Sequence, residues 1–172
     1  MRFDAATADC RVCTYKEGLL SAVAHDLEIA VTAFAIEVDE DAWRVEARFD
    51  PTSLRVVGAA RSGVVDPAVL SESDKRTIEG HIAADVLDAA RYPEIRFVSR
   101  QATARGDELA IAGTLTLHGR SRDLAVTARR DAGGWTAAAR LHQPDFGIRP
   151  YTAMLGTLRV RADVAVRVTI RQ

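Results

Sequence analysis

The chain is poor in the residues that staple or stiffen small proteins. Its 172 residues include two cysteines and five prolines, and aromatic residues make up 6%. Two thiols cannot build the disulfide framework of a small secreted fold, so the chain must rely on an ordinary apolar core. Charge of one sign is also missing, with 23 Lys and Arg against 24 Asp and Glu. A net charge of −1 gives no long-range field for a phosphate backbone, and nucleic acid is not expected as a partner. No apolar run approaches the roughly 20 residues that cross a bilayer as a helix, so no transmembrane segment is expected and any membrane contact would be transient. The opening stretch MRFDAATADC lacks the basic-then-apolar pattern of a secretory signal, and a cytoplasmic location is the expectation. There is no GxSxG elbow, no HExxH pair and no glycine-rich phosphate loop, so no catalytic residue and no metal site is expected.

What is present is alternation. With 48% hydrophobic and 27% charged residues, the composition is that of one globular domain spanning residues 1–172. Leu158, Val160, Ala162, Val164, Val166, Val168 and Ile170 alternate with mostly polar neighbours. Side chains on a strand point alternately to opposite faces, so this run predicts one strand over 157–170 with an apolar and a wet face. Trp43, Val45, Ala47 and Phe49 repeat the pattern, as do Leu109, Ile111, Leu115 and Leu117. Leu124, Val126 and Ala128 continue it after the turn His118-Gly119-Arg120-Ser121, and 135–141 returns after Asp131-Ala132-Gly133-Gly134. Residues 94–144 thus read as a meander, preceded by strands at about 9–15 and 25–38, which makes eight in all.

One substantial helix is predicted over about 74–88, with Ser73 as N-cap, Ile78, Ile82, Val86 and Leu87 on one face, and Tyr92-Pro93 beyond its end. A shorter helical turn is predicted over about 16–24. The stretch from Val56 to Glu72 reads as a long loop, and with the helix it forms an insertion at about 56–90 that would cover one barrel end and gate entry. Eight antiparallel strands and one inserted helix fit a sandwich or an up-and-down barrel. The barrel is preferred because closure removes exposed strand edges.

Four segments also resemble a known family. The run from Ile78 to Phe97, IEGHIAADVLDAARYPEIRF, resembles the helix-to-strand signature of the YceI-like, polyisoprenoid-binding proteins. Gly113 to Arg122 is similar to that family's central hairpin, Asp145-Phe146-Gly147-Ile148 to its late aspartate-phenylalanine-glycine segment, and Phe49-Asp50-Pro51-Thr52-Ser53-Leu54 to its third-strand exit. Where the family has an aspartate followed by two phenylalanines, this chain has Asp85-Val86-Leu87. The resemblance implies an all-β, eight-stranded, lipocalin-like barrel. It implies a non-enzymatic protein that binds, stores or transports an amphiphilic lipid, such as a polyisoprenoid or isoprenoid quinone, in its lumen. It implies no cofactor other than that bound lipid, and it leaves room for a homodimer.

A prenyl tail has no hydrogen-bonding groups, so its burial needs only a dry apolar channel. The residues expected to line it are Phe34, Ile36, Trp43, Phe49, Phe97, Leu115, Leu117, Trp135, Phe146 and Met154. Near predicted strand ends, His25, Asp26, His118, His142, Asp145 and Arg149 are candidate headgroup partners, able to meet a phosphate or quinone oxygen. Ordinary core packing and turn hydrogen bonds are the competing readings of both sets. Cys10 and Cys13 form a CxxC spacing, but residues three apart on a strand face opposite ways, and reduced, packed thiols are expected. Two other functions stay open: a structural or interaction module with a side-chain-filled barrel, and a small hydrolase or isomerase by fold analogy.

Overall fold

A computed structural model describes residues 1–17, 26–61, 63–153 and 158–171. The chain is mostly antiparallel β-sheet, and its strands in order are β1 (Arg2–Asp4), β2 (Ala8–Thr14), β3 (Lys16–Glu17), β4 (Asp26–Val31), β5 (Phe34–Asp39), β6 (Arg44–Phe49), β7 (Leu54–Arg61) and β8 (Val64–Asp66). Helix α1 (Glu72–His81) follows, continued by a wider π-helical turn over Ile82–Val86. Then come β9 (Ile95–Arg105), β10 (Glu108–Leu117), β11 (Arg120–Asp131), β12 (Gly134–His142), β13 (Thr152–Ala153), β14 (Leu158–Val160) and β15 (Asp163–Arg171).

The main sheet holds twelve strands among the described residues, where eight were expected. The difference comes from bends. Three long passes, over 2–14, 26–39 and 44–61, each break into two strands, and the short β8 adds one more. The first two pass side by side, β1 against β5 and β2 against β4, and the third continues beside the second, β6 against β5 and β7 against β4. From β6 the ladder runs through β9, β10, β11, β12 and β15 to β2, and β2 pairs with β4. Because β4 and β5 are halves of one pass, the circuit closes as an eight-pass up-and-down barrel.

The bends are held by hydrogen bonds between passes. Thr32 donates its backbone N–H (3.0 Å) and its hydroxyl (2.9 Å) to the Ser53 carbonyl, and Asp50 N–H donates to the Ala33 carbonyl. Asp50 accepts from the Thr52 N–H and hydroxyl, both at 2.7 Å, and caps a 3-10 turn over Pro51–Ser53. This segment is therefore a kink inside the barrel and not the exit of the third strand. β7 continues beyond it, so the long loop expected over Val56 to Glu72 is half strand: Leu54–Arg61 pairs with β4 and turns back into β8.

Several element boundaries move. The helix begins at Glu72 because Ser71 is the N-cap, accepting from Asp74 N–H while Asp74 accepts from Ser71 N–H, a reciprocal capping box. Lys16–Glu17 is strand where a helical turn was predicted; the rest of that turn, 18–24, lies outside the described residues. The single strand predicted over 157–170 is two, since Leu158–Val160 leaves the barrel to join a small sheet with β13 and β3. The β10–β11 turn tightens to His118 and Gly119, both at positive φ (52° and 70°), which is the geometry that a two-residue hairpin needs.

The outward faces carry the charges. Glu46 accepts from both Arg48 and Arg96, whose cross-strand positions would otherwise set two like charges opposite each other, and these bonds hold its carboxyl below the usual carboxylate range. Arg100 pairs with Asp123 at 2.8 Å, and Arg129 with Glu108 at 3.0 Å. A charged exterior around an apolar interior is the inverse of a membrane-spanning barrel, whose outer band is apolar. Among the described residues no helix is long and apolar enough to cross a membrane.

Candidate ligand-binding cavity

Inside the circuit lies a cavity of about 760 Å³. This falls within the roughly 300–1,000 Å³ typical of sites for small ligands. The alternation seen in the sequence builds it. Ile111, Leu115 and Leu117 from β10, Val126 and Ala128 from β11, Trp135 and Ala137 from β12, and Val164, Val166 and Val168 from β15 project inward at every second position. In the bent passes the inward phase changes: Leu27, Ile29 and Val31 are odd-numbered, whereas Ile36 and Val38 beyond the bend are even. Cys10 and Val12 from β2 and Ala47 and Phe49 from β6 complete the barrel wall. One end is covered by the helical segment, which turns Ile78, Ile82, Val86 and Leu87 toward the lumen.

Of the residues expected to line a tail channel, Ile36, Trp43, Phe49, Phe97, Leu115, Leu117 and Trp135 do border the cavity. Phe34 and Phe146 do not. Phe34 packs its ring on Phe49 at 5.9 Å, and Phe146 is buried in the 3-10 turn Gln143–Phe146, which ends on Gly147 at φ 72°. Met154 lies outside the described residues. Trp43 sits at the end remote from the helix, exposed and at φ 48°.

None of the expected headgroup partners among the described residues borders the cavity, and three of them are bonded elsewhere. His118 places Nδ1 3.3 Å from the Phe146 carbonyl and its ring 4.7 Å from that of Tyr92. His142 meets Asp163 at 2.7 Å, Asp26 accepts from Lys16 N–H, and Asp145 and Arg149 are exposed off the cavity wall. His25 lies outside the described residues. The polar residues that border the cavity at the helix end are instead Thr14, Tyr15, Lys16, His81, Gln143, Tyr151 and Arg159; at the remote end they are Glu40 and Arg130, with Met1, whose ammonium donates to the Val38 carbonyl. Sequence reasoning missed these because most lie at strand ends or in turns, Arg159 reads as the wet face of the strand predicted over 157–170, and the small β13–β14–β3 sheet joins segments far apart in the chain.

The two cysteines are free and lie on opposite faces of β2. Cys10 borders the lumen, where burial pushes its thiol up to about 12, and Cys13 is half-buried on the other face.

A barrel that is apolar within, charged without and hollow along its axis fits the match of residues 11–171 to the YceI-like domain. This chain belongs to the YceI-like family. UPF0312 proteins are its relatives in sequence: one from Pseudomonas putida is 34% identical over 98 residues (50% of each chain), and one from Vibrio cholerae is 30% identical over 117 residues (60% of each). The chain thus matches about half of the length of these curated relatives. In three dimensions the YceI-like chain is similar to BcnA of Burkholderia cenocepacia, with a TM-score of 0.62 at 16% identity covering 96% of both chains. It is also similar to a polyisoprenoid binding domain from Saccharophagus degradans, with a TM-score of 0.55 at 11% identity covering 98% and 97%. At these identities the likeness concerns the fold.

Proposed function

We propose that this YceI-like protein binds a long-tailed amphiphile, a polyisoprenoid or isoprenoid quinone, inside its barrel and holds or carries it without altering it. The observation that carries this reading is the 760 Å³ cavity, whose lining comes from strands all around the barrel and is apolar except at its two ends. Such a wall gives a tail about 25 cal/mol for each Å² removed from water and asks for no polar geometry along its length. The hollow interior disfavours the side-chain-filled module. For the lid, the helical segment is the better part of the expected insertion, because it borders the cavity while β7 is locked in the sheet.

Organic extraction of the purified protein followed by mass spectrometry tests the reading. A prenyl lipid or quinone recovered at near-stoichiometric amount is expected. A clean extract, together with no thermal stabilisation by added prenyl lipids, would overturn it.

A further inference from the structure

The lumen reaches water at the end remote from the helix. Of the residues that border it there, Met1, Glu40, Trp43 and Arg130 are exposed, and among the described residues this end is built of strand ends and turns with no helix laid across it. Trp43 stands in this mouth. It extends by one residue the inward file of β6, Val45, Ala47 and Phe49, past the point where the strand begins at Arg44. The turn before it is fixed from both sides: the Asp39 carboxylate accepts from the N–H groups of Asp41 and Ala42, each at 3.1 Å, and Asp39 pairs with Arg44 across the hairpin. Trp43, the last residue of that loop, is thereby held at φ 48°, a left-handed conformation that suits glycine or asparagine and costs a bulky residue conformational energy. It is also 46% exposed, so this tryptophan is neither relaxed nor well buried. Strain of this kind gathers where a ligand is held.

We infer that Trp43 is the stop of the tube: its indole sets the longest tail that the lumen takes up, selecting prenyl chains that fit within the cavity over longer ones. This rests on the lumen-binding reading above and specifies its ligand by tail length. At ordinary liquid density farnesol and geranylgeraniol are smaller than the 760 Å³ of the lumen and solanesol is larger, so solanesol enters fully only if one end passes the excess. At the remote end the tail meets Trp43. The flat apolar face of an indole gives a tail terminus dispersion contacts. Glu40 and Arg130 beside it offer none of this, since an alkyl end pressed on either would strip water from a charge and supply no partner. A terminus resting on the indole covers apolar surface that otherwise stays in water, which offsets the strain of the turn.

An equimolar mixture of farnesol, geranylgeraniol and solanesol, supplied from a cyclodextrin carrier to the delipidated full chain, tests the inference. The protein is reisolated and extracted, and the prenols are quantified by mass spectrometry. The readout is the ratio of solanesol to geranylgeraniol in each variant relative to the unmodified chain, a comparison that cancels the carrier's own preference. Trp43→Gly and Trp43→Asn remove the ring and are at home at positive φ, so both keep the turn. Each should raise the ratio about tenfold, the gain from burying about two further methylene groups where the indole stood. Trp43→Phe keeps a ring in the mouth and should retain the ratio of the unmodified chain. Urea unfolding verifies that each variant is folded. An unchanged ratio in folded Gly and Asn variants overturns the stop inference alone, as does an equal rise in all three variants. Absence of all three prenols from the extract of the unmodified chain overturns the lumen reading along with it.

Discussion

At the scale of single residues, the barrel depends on a few positions where a side chain or its absence is dictated by a neighbour. Gly119 has φ 70°, and a Cβ there would lie 2.4 Å from Cε1 of Tyr92. Gly119→Ala therefore combines backbone strain with a clash, and it should destabilise the fold by about 1–3 kcal/mol. Urea unfolding measures this. The double variant Gly119→Ala/Tyr92→Leu should recover the part due to the clash, and no recovery would assign the loss to backbone strain alone.

Cys10 gives a pH dependence with a definite sign. Burial among apolar side chains disfavours its thiolate, so the folded chain keeps the proton up to about 12, whereas an unperturbed thiol releases it near 9.0. The unfolded chain then binds fewer protons than the folded one between these values. Stability should fall as pH rises through that window, with a slope approaching about 1.4 kcal/mol per pH unit, and Cys10→Ala should flatten it. The same burial predicts slow alkylation of Cys10 in the folded protein and fast alkylation after unfolding, read by intact mass. Equal rates in the two states would contradict the buried placement.

At the scale of elements, the helical segment has the marks of a movable cover. None of its residues is fully buried, its start depends on the Ser71–Asp74 capping box, and Glu79 ties it to β7 through Val56 N–H. Ser71→Ala should weaken it by about 1 kcal/mol and speed amide exchange over 72–86 about fivefold, with β10 unaffected. Bound lipid should slow exchange in that segment, because Ile78, Ile82 and Val86 would then pack on the ligand. Unchanged exchange with and without lipid would remove the helix from the entry path.

This helix also shows what the sequence could reveal. Its apolar spacing is a local property and is legible, as is the alternation of β10, whose inward residues 109, 111, 115 and 117 keep one phase throughout. The pass over 26–39 reads as one strand because nothing local marks the change of phase at Thr32 and Ala33. That bend is made by bonds to Ser53, 21 residues away. β7 reads as loop because Gly58, Ala59 and Ala60 have poor strand propensity, yet its pairing with β4 overrides that preference. The cavity-lining residues were largely legible because they follow the alternation. The polar cavity end was not, because sequence neighbours such as Tyr151 and Arg159 reach it only after β13, β14 and β3 assemble.

At the scale of the whole molecule, closure and hollowness pull against each other. A closed circuit satisfies every pass with two neighbours, yet side chains facing an empty lumen lack the dispersion contacts that a solid core supplies. A ligand that fills the cavity restores those contacts only in the folded state, so its binding energy adds directly to folding stability. At a free concentration one hundred times the dissociation constant this amounts to about 2.7 kcal/mol. Delipidated protein should thus melt at a lower temperature than reloaded protein, by about 5–11 °C for a chain of this size. Leu117→Arg places a charge on the lumen wall, where desolvation penalises any apolar neighbour. A folded Leu117→Arg protein should show little or no rise on reloading. A full rise in that variant would place the lipid outside the barrel, on the charged exterior that the closed sheet presents to water.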